Sequence, residues 1–153
     1  MLTLLRVDHR LIHGQVAMIW TQELATNCIL VASDAVVKDD LRKTTLKLAR
    51  PAGVKLVIKS IDDSIGALVS GVTDKYRLFI VVESIEDAYR LAKGYDGVKQ
   101  INIGGTKPKD EAVNRLSSTV FASDAELKMI EELKDMGIEV EIRQVPRDQK
   151  VIL

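Results

Sequence analysis

The chain has 153 residues, 46% hydrophobic and 29% charged, a balance that fits one globular domain with enough apolar mass for a core. Lys plus Arg and Asp plus Glu stand at 22 each, which excludes a general electrostatic grip on nucleic acid or an anionic bilayer and makes any anion site a local one. No apolar run approaches the roughly 20 residues of a membrane span, and MLTLLRVDHR meets charge too early for a secretory leader. A cytoplasmic protein is therefore expected, touching a membrane only through a partner.

In chain order, short runs rich in Val, Ile and Leu alternate with longer amphipathic stretches. Strands are predicted at Leu2–Val7, Ile29–Ala32, Val54–Ile58, Leu78–Val82, Val98–Ile103, Thr119–Ala122 and Ile138–Val145. Helices are predicted between them. Gln15–Ala25 puts Val16, Ile19, Trp20 and Leu24 on one face, and Lys38–Ala49 ends before Pro51–Gly53. Ile61–Val69 follows, then Ile85–Ala92 closed by Gly94. The last helix has the clearest start, Ser123 followed three residues later by Glu126, and runs through Leu127, Ile130 and Leu133 to Gly137. The alternation predicts a single α/β domain over residues 1–153. Its central sheet is a mainly parallel one of about seven strands, mixed near the C-terminus and flanked by helices on both faces. Glu139–Ile142 alternates polar and apolar, the pattern of a less buried edge strand. The single cysteine, Cys28, lies in the apolar run CILVAS and reads as a small core residue.

In open α/β sheets ligands gather at the carboxyl ends of strands, and the first such end is dense in functional groups. RVDHRLIHGQV, from Arg6 to Val16, holds Arg6, Asp8, His9, Arg10, His13 and Gln15, including both histidines of the protein. Three chemistries could use it. Metal ligation by His9 and His13 would need a further ligand, and no second cysteine or third histidine exists to supply one. Acid–base catalysis by His13 with Asp8 orienting it is a second reading. The third is nucleophilic attack of a neutral imidazole on phosphorus. It needs an exposed ring, donors for the phosphoryl oxygens and a group that fixes the tautomer. Arg10 offers a permanently charged fork and Asp8 can accept a ring N–H. The helix start at Gly14–Gln15 offers free N–H groups, and Gly14 allows close backbone approach.

RVDHRLIHGQV resembles the active-site signature of the mannose/fructose/sorbose family of enzyme IIB components of sugar phosphotransferase systems. Weaker similarities run through Ala32–Asp34, PAGVKLV, INIGG and GIEVEIRQVP, so that the resemblance covers nearly the whole chain. It implies a protein-N(π)-phosphohistidine–sugar phosphotransferase in which His13 takes phosphate from a IIA phosphohistidine, on Nδ1 by expectation. His13 then passes it to a sugar bound by the membrane subunits IIC and IID. Arg10, Gly14 and Gln15 would bind the phosphoryl group and Asp8 would orient the site, with Arg6 and Asp34 at its rim. Neither cofactor nor metal is implied, because the donor phosphoramidate already has high transfer potential. His9 sits where relatives often carry Asp or Asn and is expected to contact solvent, while Asn102 and Gly104–Gly105 are read as a turn. The rival readings are a small hydrolase using His9, His13 and Asp8, and a regulatory relative without turnover.

Overall fold

In the computed structural model, which describes residues 1–153, six strands run parallel: β1 (Leu2–Asp8), β2 (Cys28–Ala32), β3 (Lys55–Lys59), β4 (Leu78–Val82), β5 (Gln100–Gly105) and β8 (Glu139–Ile142). β9 (Val151–Ile152) joins antiparallel to β8, giving a seven-stranded mixed sheet of order β3-β2-β4-β1-β5-β8-β9. β6 (Asn114–Arg115) and β7 (Phe121–Ala122) form a separate antiparallel hairpin. The helices are α1 (Gly14–Glu23), α2 (Asp40–Leu48), α3 (Ile61–Ser70), α4 (Ile85–Gly94) and α5 (Asp124–Asp135), with a 3-10 turn at Val36–Lys38.

Strand alternation divides the interior in two. Leu5 and Val7 of β1 join a core of 24 buried residues that includes Ile61 and Leu68 of α3, Leu91 of α4, and Ile130 and Leu133 of α5. Leu4 joins a smaller core of 12 with Trp20 of α1 and Leu46 of α2. Gly94 ends α4 because of packing: a Cβ there would lie 2.7 Å from Ile65 of α3.

Two expectations about individual strands are corrected. Thr119–Ala122 does not enter the main sheet; Val120 accepts from the N–H groups of Leu116 and Ser117 in a tight turn that folds β7 onto β6. Val151–Ile152 supplies the seventh strand in its place, so Glu139–Ile142 is internal, with Glu141 fully buried. Its alternation marks a charged face inside the protein rather than a wet edge.

Candidate phosphoryl-transfer site

β1 is the central strand of the seven-stranded sheet, between β4 and β5, and its carboxyl end carries the loop singled out in the sequence. Asp8 closes the first turn: its carbonyl accepts from Leu11 N–H at 2.9 Å and its Oδ1 from Arg10 N–H at 3.0 Å, an Asx-type turn. Leu11 then takes φ +59°, a left-handed conformation that a branched side chain rarely adopts. It is held because Leu11 and Ile12 are both sunk into the α1-side core. His13 follows in extended conformation as the residue before α1, and Gly14 turns the chain into the helix at φ +46°.

This geometry fixes the imidazole. His13 Nε2 lies 2.9 Å from Asp8 Oδ2, and the His13 side chain is 21% exposed while that of Asp8 is 3% exposed. A charged carboxylate can only accept, so Nε2 carries the hydrogen and Nδ1 keeps its lone pair. Burial alone would raise Asp8; the hydrogen bonds from His13 and the Arg10 N–H, with the Arg6 charge, outweigh it and hold the carboxyl below its ordinary value. Asp8 is therefore an anion at neutral pH.

The α1 N-terminus is open. No side chain caps it and no acidic residue stands in its first turn. In α2 to α5 the caps Asp39, Ser60, Ser84 and Ser123 each accept from a backbone N–H, and every first turn carries an acid. The orphan N–H groups at Gly14–Val16 and the uncompensated dipole are thus available to an anion beside His13. The Arg10 side chain is exposed on the same loop, and Gln15 is exposed in the first turn.

Behind the loop lies a row of polar residues. Arg6, Asn102 and Glu141 stand in register across β1, β5 and β8. Arg6 is 3% exposed, so the structure corrects its expected position at the rim: it lies underneath, with Nη2 3.2 Å from Asp8 Oδ2 and Nη1 donating to Asn102 Oδ1 and to the Arg143 carbonyl. Its guanidinium crosses β5 where a Cβ on Gly104 would collide with it, and Gly104–Gly105 belong to the strand rather than to a turn. Burial pushes the Arg6 guanidinium below its ordinary value, against the pull of Asp8 and Glu141. Arg6 and Arg143 flank the Trp20 ring at 5.3 and 5.2 Å, Trp20 Nε1 donates to the Gln144 carbonyl at 2.7 Å, and Arg143 pairs with Glu141 at 3.0 Å.

Asp34 makes its bonds to the fold and none to the His13 loop. Its Oδ1 accepts from Ile61 N–H at the start of α3 and its Oδ2 pairs with Arg90, both at 2.9 Å, so it clasps β2 to α3 and α4. His9 is half buried, with Nδ1 covered and unpartnered beside Gly105, and has no hydrogen bond to Asp8 or His13. The set His9–His13–Asp8 on which a hydrolase would depend is not assembled. Sequence reasoning missed Trp20, Glu141 and Arg143 as members of the site. Only Glu141 left a trace, one charged residue between Val140 and Ile142 that aligns with Arg6 and Asn102 once the strand register is known, and no local signal marks Trp20 or Arg143.

The sequence matches the model of the PTS system sorbose subfamily IIB component over residues 2–153. It is 34% identical to a probable phosphotransferase enzyme IIB component of Streptococcus pyogenes, over 100% of this chain and 97% of that protein. It is 33% identical to the sorbose-specific EIIB component of Lacticaseibacillus casei, over 96% of this chain and 89% of that one. The mannose-specific EIIAB component of Escherichia coli K12 is 31% identical over 97% of this chain and 46% of its own length. Among solved structures, the IIBSor domain of the sorbose permease from Klebsiella pneumoniae superposes with a TM-score of 0.92 at 26% identity, covering 98% of this chain and 91% of that one. No helix is long and apolar enough to cross a membrane. The chain belongs to the sorbose subfamily of IIB components, the phosphoryl carriers of sorbose- and mannose-type sugar phosphotransferase systems.

Proposed function

We propose that His13 is the phosphoryl-carrying residue, that it is phosphorylated on Nδ1, and that its donor is the phosphohistidine of a IIA domain. The observation that carries this reading is the 2.9 Å contact between His13 Nε2 and Asp8 Oδ2, which leaves Nδ1 as the nucleophile. The Nδ1 lone pair attacks phosphorus as the donor P–N bond breaks, and the bonding electrons return to the donor imidazole. Positive charge gathers on the His13 ring and the Nε2–H bond to Asp8 strengthens, so Asp8 stabilises the product without taking the proton. Arg10 and the open N–H groups at Gly14 and Gln15 receive the phosphoryl oxygens. In the second half-reaction a sugar hydroxyl attacks the same phosphorus, the N–P bonding electrons return to Nδ1 of His13, and the hydroxyl proton is lost to a base on the sugar-binding subunit or to solvent.

The fused EIIAB relative supports a IIA partner. Membrane subunits IIC and IID, which would present the sugar, complete the proposed assembly, and the protein would work at the cytoplasmic surface through them. His13→Gln, incubated with the general phosphotransferase proteins and a matching IIA, should take up no phosphate by intact mass while keeping its thermal midpoint. Uptake equal to wild type would remove His13 from the mechanism.

A further inference from the structure

A second candidate site lies along the β3 edge of the sheet, on the face that α3 packs against. Cys28, Lys55 and Leu78 mark one end of the site, where they start β2, β3 and β4 in register, and Lys59, the last residue of β3, marks the other. There α3 leaves part of the sheet uncovered. The result is a groove of about 290 Å³ in which 7 of the 11 lining residues are hydrophobic, the composition of a site that takes an apolar body. Its floor includes Leu30, Val57 and Leu78.

The rim is cationic. Strand alternation puts Lys55 and Lys59 on the same side of β3 as Val57, and Lys75 reaches the groove from the α3–β4 connection. Lys55 Nζ donates to Tyr76 Oη at 3.0 Å, and the Lys55 and Lys75 ammonium groups each lie 5.2 Å from the Tyr76 ring centroid. Tyr76 thus draws two like charges to one ring, and none of the three lysines has a carboxylate partner. Elsewhere Lys43, Lys93, Lys109, Lys134 and Lys150 each find an acid within 3.3 Å while five other lysines do not, so what sets these three apart is the apolar floor they share. In a chain of zero net charge, three unmatched cations around an apolar floor are a local demand for an anion with a hydrophobic body.

We propose that this groove binds an amphipathic carboxylate, its apolar body on Leu30, Val57 and Leu78 and its head group among Lys55, Lys59 and Lys75. The site is independent of the phosphoryl-carrier reading. Occupancy leaves the His13 loop free, because no residue of that loop lines the groove. Octanoate is a suitable probe, titrated into the labelled protein and followed by ¹H–¹⁵N spectra. Saturating shifts are expected at Leu30, Val57 and Leu78 with a Kd of about 1 mM or tighter, with Asp8–Gln15 unmoved. The Lys55→Gln/Lys75→Gln variant should bind roughly tenfold more weakly while keeping its thermal midpoint and its phosphate uptake. Neutral octanol should also bind more weakly than octanoate. Equal affinity in the variant, octanol binding as tight as octanoate, or shifts that do not saturate would each overturn the proposal. A further arm uses phosphatidylglycerol vesicles: co-sedimentation lost in the same variant, with no octanoate shifts, would assign the lysines to a lipid surface and overturn the pocket.

Discussion

The N-termini of α1 and α5 solve the same problem in opposite ways. At α5 a capping box closes the terminus within four residues: Ser123 Oγ accepts from Glu126 N–H at 3.1 Å and Glu126 Oε1 accepts from Ser123 N–H at 2.9 Å. At α1 there is no cap and no acid, and the residue in the capping position is His13, whose side chain turns to Asp8. Stability is maximised at one terminus and withheld at the other, where an anion must come and go. The buried row of Asp8, Arg6, Asn102 and the Arg143 carbonyl leaves those N–H groups open and instead holds Asp8 against His13.

The largest effect should come from cutting that support. Arg6→Met removes the cation beneath Asp8 and leaves a buried carboxylate without its partner, at a cost of about 3–5 kcal/mol in denaturant unfolding. A change under about 1 kcal/mol would mean that the row is not a structural unit. Asp8→Asn comes next: phosphate uptake should slow roughly a hundredfold, equivalent to about 2.7 kcal/mol, because Nε2–H loses its anionic acceptor. The same variant has a pH signature. Asp8 is held below its unfolded value of 3.8, so its contribution to stability is present above that value and lost as pH falls through the folded one. In the Asn variant that acid limb should shrink, and an unchanged acid limb would deny the carboxylate its role.

Ser123→Ala should cost about 1 kcal/mol of stability and leave phosphate uptake unchanged, since the α5 cap serves the fold alone. The smallest effect sharpens the contrast most. Gln15→Glu gives α1 the first-turn acid that the other helices have, and should stabilise the protein by about 0.3–1 kcal/mol while slowing phosphate uptake. Faster or unchanged uptake in that variant would mean that the phosphoryl group does not approach the α1 terminus.

Much of this was legible in the sequence, for reasons that differ along the chain. The six parallel strands declare themselves by apolar runs, and α5 by its capping box, because both signals are local. The loop RVDHRLIHGQV was legible because its functional groups are contiguous; Asp8 meets both the His13 ring and the Arg10 backbone N–H within it. Arg6 was assigned to a rim and proved to be buried, because its partners Asn102 and Arg143 lie 96 and 137 residues away. Glu141 misled in the same way: a charged residue in an alternating run reads as exposed unless the partner strand is known. β9 is two residues long and belongs to the sheet only through its pairing with β8, which no propensity reveals.

The carrier mechanism turns on which nitrogen of which imidazole carries phosphate. The direct measurement is ³¹P–¹⁵N correlation on histidine-labelled protein phosphorylated through its IIA partner. Coupling to Nδ1 of His13, with Nε2 still protonated toward Asp8, is the predicted result; coupling to His13 Nε2, or to His9, would contradict it.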